Sequence, residues 1–98
     1  MRAIWAPLAR EQAADAFAYV SAESPSAALR WFDEIVDRSG SLSTFPDMGR
    51  MMPEAGRPEV REVFVEPYRV IYRRDPDLIV IIGVFHSHQD VGADDLSG

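Results

Sequence analysis

Four arginines fall within one 14-residue stretch of this 98-residue chain: Arg61, Arg69, Arg73 and Arg74. Guanidinium groups grip carboxylates and phosphates through paired hydrogen bonds, so the cluster suits an acidic protein surface or a phosphate backbone. Tyr68 and Tyr72 lie inside the same stretch, and His86, His88 and Asp90 follow it. Cleaving RNA by attack of its own 2′-OH needs a base, an acid for the leaving 5′-oxygen and a cation for the phosphate. Arg61, Tyr68, Tyr72, His86 and His88 are the residues able to fill those roles, Arg61, Tyr68, His86 and His88 first. Each also has a purely structural reading. The arginines can pair with Glu62, Glu66 and Asp75 at a sheet rim. Tyr68 and Tyr72 can pack a sheet with their hydroxyls reaching its edge. His86 can cap the apolar run it follows. Positions 86, 88 and 90 point the same way in an extended strand, and two imidazoles with a carboxylate could take a divalent metal. The chain has no third His, so a hydrogen-bonded strand end is the simpler reading, and neither metal nor cofactor is expected.

Composition narrows the chemistry further. All ten basic residues are Arg, against sixteen acidic residues, for a net charge of −6, and there is no Cys. Lysine and thiolate chemistry, disulfides and cysteine metal sites are therefore excluded. An acidic domain is poorly suited to binding nucleic acid alone, since that affinity rests on neutralising phosphates. The charge is uneven. Residues 60–74 carry four basic groups against two acidic ones, whereas residues 75–98 carry five acidic groups and no basic one. No apolar run approaches the ~20 residues that cross a bilayer. Arg10, Glu11 and Asp15 interrupt any signal-peptide core, so a cytoplasmic protein is expected.

The elements that must position these residues read as β-α-α-β-β-β. Residues 2–5 form a short strand. Pro7 opens a helix to about Val20, with Ala13, Ala16, Phe17 and Val20 on one face. Ser24 and Pro25 supply the cap and first turn of a second helix to about residue 41. Its apolar stripe is Ala28, Phe32, Ile35, Ser39 and Leu42, widened by Leu29 and Val36. Trp31 lies off this stripe, marking either a protein–protein surface or packing against the sheet or first helix. Residues 43–59 are a Pro- and Gly-containing loop whose Phe45, Met48, Met51 and Met52 either contact a partner or plug the core. Strands follow at 61–65, 68–73 and 78–85, joined by tight turns at Glu66-Pro67 and Asp75-Pro76-Asp77. The predicted class is α+β: a helical hairpin packed on one face of a small antiparallel sheet, in one domain over residues 1–91, with a disordered polar tail at 92–98.

This order carries four local patterns. Ser24-Pro25-Ser26-Ala27-Ala28 opens the second helix. Leu42-Ser43-Thr44-Phe45-Pro46-Asp47-Met48-Gly49-Arg50 has the form L-x-x-F-P-x-x-G-R. Arg61-Glu62 precedes Tyr68-Arg69-Val70-Ile71-Tyr72-Arg73. Val84-Phe85-His86 leads to Asp90. Together they resemble the ParE/RelE superfamily of type II toxin–antitoxin toxins, the ParE branch most closely. The sequence departs from the family pattern in three ways. Ala6 stands where a Ser cap is usual, a loss of ~1 kcal/mol. His88 and Gln89 stand where Arg is usual, and the chain is acidic where such toxins are commonly basic.

The resemblance implies a toxin that inhibits DNA gyrase or a related topoisomerase and is neutralised by a ParD-like antitoxin wrapped over its helical hairpin and sheet edge. Alternatives are a RelE-like ribosome-dependent mRNA endoribonuclease and an inactive toxin retained as co-repressor. Arg61, Arg69, Arg73, Trp31, Tyr72 and His86 are the candidate target- or antitoxin-binding residues, Arg61 and Arg69 foremost because they fall inside the family patterns. A −6 protein entering the ribosomal A site meets electrostatic repulsion, which favours the gyrase reading.

Overall fold

The computed structural model describes residues 1–96, as β1 (Arg2–Trp5), α1 (Pro7–Glu23), α2 (Pro25–Thr44), β2 (Arg50–Met51), β3 (Val60–Val65), β4 (Tyr68–Arg74) and β5 (Leu78–His86). Short 3-10 turns occupy Pro53–Ala55 and Ala93–Asp95. The β-α-α-β-β-β order holds, with β2 as a two-residue addition.

Both helices run three residues past their expected ends, and proline explains where each stops. Proline crowds its predecessor out of helical geometry. Ser24, before Pro25, and Phe45, before Pro46, are accordingly non-helical. Ser24 alone joins the helices: its backbone N–H donates to Val20 O at 2.9 Å, and its Oγ accepts from Ala27 N–H at 3.2 Å. Ala6 leaves α1 without a side-chain cap.

The strand order is β1-β5-β4-β3-β2. β3, β4 and β5 form the expected antiparallel meander, but β1 pairs with β5 in parallel, Arg2 opposite Leu78 through Trp5 opposite Ile81, so the sheet is mixed. The meander leaves one edge of β5 free, and β1 takes it before the chain crosses the sheet through the hairpin.

Between β4 and β5 the register shifts: Ile71 faces Gly83 while Tyr72 faces Ile81, leaving Ile82 as a bulge. An extra residue reverses the in–out alternation beyond it. Ile79 and Ile81 face the helices before the bulge and Val84 does so after it, while Val80, Ile82 and Phe85 face the other way. Gln12 on α1 accepts the Val84 N–H just past the bulge at 2.8 Å. The apolar run of β5 thus feeds two cores. The larger lies under the helices, with Ala9, Ala16, Trp31, Ile35 and Leu42 against Val63, Val70 and Tyr72. The smaller covers the opposite face, where Met52, Ala55, Val91 and Leu96 close over Ile71 and Ile82.

That second core corrects the expectation of a disordered tail for Gly92–Leu96. Asp95 accepts the Gly92 N–H at 2.9 Å, and Leu96 is buried. Burying Val91 and Leu96 offsets the cost of ordering the segment. Positions 97 and 98 of the expected tail lie outside the described residues.

Candidate interaction surfaces

The arginines of the hairpin have four different environments. Arg61 donates to Gly49 O at 2.9 Å, and its Nε lies 3.8 Å from Asp47. Arg74 reaches the same Asp47 carboxylate at 2.9 Å. Tyr72, expected as a binding residue, is fully buried beside them: its hydroxyl donates to Pro46 O at 2.7 Å and accepts from Gly49 N–H at 3.0 Å. Burial pushes the Tyr72 phenol above its ordinary pKa. A Cβ on Gly49 would sit 2.7 Å from the Tyr72 ring and 2.8 Å from Glu62 O. The glycine of the F-P-x-x-G-R loop is thus demanded by a tyrosine two strands away, and Arg61, Tyr72 and Arg74 together hold that loop in place.

Arg73 forms a two-pronged pair with Asp75 at 2.9 and 3.1 Å. The bonded guanidinium holds the Asp75 carboxyl below its usual range. Arg69 is buried: Nη1 donates to Glu62 at 3.2 Å and Nη2 to Gln89 O at 3.2 Å, while Nε lacks a partner among the described residues. Glu62, in turn, receives Arg50 Nε at 2.7 Å. Arg50 was not among the expected site residues. One signal for it existed, Glu62 within the mostly apolar β3, since its neighbour Arg61 lies on the other face and a buried carboxylate requires cationic partners.

Trp31 is a core residue rather than a surface marker. It is buried against Tyr68 at 5.4 Å, and its Nε1 donates to Val65 O at 3.0 Å. The buried row of α2 is Ala28, Trp31, Ile35 and Leu42. Phe32, expected inside, is half exposed with Leu29 and Val36. Ala28, Ile35 and Leu42 of the expected stripe are buried, and Trp31 in place of Phe32 buries the larger indole and gives its N–H an acceptor at the edge of β3.

The exposed row lines an apolar groove of about 690 Å³ between the helices, with Ala13 and Ala14 on the α1 side and Phe17 edge-on to Phe32 at 6.2 Å. Phe45, Met48 and Met51 add exposed apolar surface after α2, while Met52 plugs the second core.

Tyr68, His86 and His88 form a row of rings at the far end of β4 and β5, with spacings of 5.5 and 5.6 Å. His86 Nδ1 accepts the His88 N–H at 3.3 Å. Arg61 is opposite Tyr72 on the neighbouring strand. Four residues of strand, about 13 Å, separate that level from Tyr68. Of the residues expected for a ribonuclease, Tyr68, His86 and His88 are therefore grouped at one level of the sheet and Arg61 and Tyr72 at another. β5 ends at His86, and residues 87–89 turn, so 86, 88 and 90 share no strand face. Among the described residues, no three His, Cys, Asp or Glu form a metal-holding group.

The two-helix hairpin over a meander is a fold shared with a solved structure. The fold matches a chain of the chromosomal ParDE toxin–antitoxin system from P. aeruginosa with a TM-score of 0.69, covering 88% of this chain and 95% of that one at 24% identity. The profile of the ParE toxin of type II toxin–antitoxin systems, parDE, matches residues 3–91, and the chain belongs to that family. No curated protein sequence matches it significantly. Among the described residues no helix is long and apolar enough to cross a membrane.

Proposed function

We propose that this ParE-family toxin acts in the cytoplasm by inhibiting DNA gyrase or a related topoisomerase, without catalysis of its own, and is neutralised by a ParD-like antitoxin. The observation that carries the choice of target is the separation of Arg61 from the Tyr68–His86–His88 row. General acid–base cleavage requires its groups within hydrogen-bond reach of one scissile phosphate, and a gap of about 13 Å along the strand speaks against that. The charge distribution supports the same reading, since the acidic residues beyond position 74 would repel a ribosomal RNA groove.

The hairpin groove suits the antitoxin. Leu29, Phe32 and Val36 recur at helical spacing with half or more of each exposed, and an amphipathic helix laid in such a groove buries its own apolar face.

Purified toxin, gyrase and antitoxin test the reading together. Toxin should block supercoiling by gyrase, and antitoxin added in equal amount should restore it. Unchanged supercoiling, with mRNA cut at codon boundaries in a translating extract, would overturn the choice of target.

A further inference from the structure

We propose that Arg50, laid over Phe64 and held by Glu62, is the guanidinium with which this protein engages a carboxylate of its target protein. The inference rests on the toxin reading and names the surface that reading lacks.

The charges do not balance at this point of the sheet. Glu62 is a single carboxylate with a fully buried side chain, between Arg50 Nε at 2.7 Å and Arg69 Nη1 at 3.2 Å. Two guanidinium groups on one carboxylate leave an excess of one positive charge. Arg69 cannot present it, being buried and committed to Gln89 O. Arg50 can, because 60% of its side chain is exposed. It stands on β2, the outermost strand, opposite Glu62. Glu62 faces Ile71 of the second core, so Arg50 lies on the face turned away from the helical groove. Glu54 attracts Arg50 through space, more weakly than Glu62 does.

Arg50 is also held in place before any partner arrives. Its guanidinium carbon lies 5.7 Å from the centroid of Phe64, within cation–π range. A long side chain fixed at both its charge and its flat face loses less freedom on binding. Arg and aromatic residues are among the types enriched in protein interfaces. The chain's −6 charge disfavours a polyphosphate ligand, which leaves a protein carboxylate as the occupant.

Four variants test this in the full chain: Arg50→Glu, Arg50→Lys, Phe64→Leu and Glu62→Gln. Arg50→Glu should abolish growth arrest on induction without antitoxin and raise the concentration that half-inhibits gyrase by about tenfold or more. Its affinity for the antitoxin should stay within about twofold of wild type, because the groove lies on the other face. Arg50→Lys and Phe64→Leu should fall between. Glu62 acts as a positioning residue, so the effects of Glu62→Gln and Arg50→Lys should not add; additive effects would leave Glu62 a structural role only and overturn that part. Growth arrest by Arg50→Glu equal to wild type would overturn the proposal. So would tight binding of a DNA or RNA duplex that Arg50→Glu abolishes. If the wild type arrests growth yet leaves gyrase untouched, the gyrase reading fails, while loss of arrest in Arg50→Glu still supports Arg50.

Discussion

The groove between the helices and the arginine-rich end of the sheet expose side chains for opposite reasons. In the groove, Leu29, Phe32 and Val36 lie open although nothing polar holds them there. At the sheet end, charged groups are held by the chain itself: Arg61 by the 47–49 loop, Arg69 by Glu62 and Gln89, Arg73 by Asp75. Exposed apolar area is a standing cost in water that a partner can relieve. A satisfied ion pair has little left to offer a partner; Arg50 differs because it shares its carboxylate with Arg69 and its side chain is 60% exposed. The contrast separates residues free to bind from residues whose main task is to shape the surface.

The largest effect that would break the contrast lies in the groove. Phe32→Asp places a charge where an apolar helix must dock, and should weaken antitoxin binding about a hundredfold. Its thermal midpoint should stay near wild type, since Phe32 is half exposed. Calorimetric titration with antitoxin and a melting curve check both halves; unchanged affinity would remove the groove from the interface.

Arg69→Ala should show the reverse pattern. It removes one of the two donors on buried Glu62 together with the bond to Gln89 O, at a cost of about 2 kcal/mol. Denaturant unfolding should therefore register it as a folding variant, and any loss of toxicity would follow from that. Next is Gly49→Ala, whose new methyl group meets the Tyr72 ring and should cost about 1–3 kcal/mol with no change in antitoxin affinity.

The smallest effect concerns pH. Asp75 and Glu59 both titrate below their ordinary values, Asp75 chiefly through its bond to Arg73 and Glu59 chiefly through its own backbone N–H, with Arg57 second. Depressed carboxylate pKa values mean that the unfolded chain binds these protons first. Their contribution is thus complete above the unfolded values, near pH 4 to 5, and is lost as pH falls through the folded ones. Asp75→Asn should slightly flatten the acid limb of a stability-against-pH curve, and carboxyl NMR titration should find Asp75 below a free aspartate.

Most of the element order was legible in the sequence because helix and strand periods differ and because Ser24-Pro25, Glu66-Pro67 and Asp75-Pro76 punctuate them. What escaped has local causes. On α2, Ala28, Ile35 and Leu42 were legible as the buried face, but Trp31 rather than Phe32 joins them, because the two are adjacent and both apolar and the acceptor at Val65 O favours the indole. The parallel pairing of β1 leaves no trace in four residues. The second core escaped because Met52, Val91 and Leu96 are scattered through segments without a period. At the site, residue types were readable but their partners were not. Arg61 and Tyr72 come together through cross-strand register, and Arg50 meets Glu62 through a strand of two residues.

The single-residue joint at Ser24 has a consequence for motion. One residue ends α1 and starts α2, so there is no slack to let either helix fray inward without disturbing the other. The hairpin should open as one cooperative unit, with backbone amides on both sides of Ser24 exchanging with solvent at matched free energies. A partner seated between the helices would then meet a groove of nearly constant width, and would gain affinity from a shape set before contact rather than moulded by it.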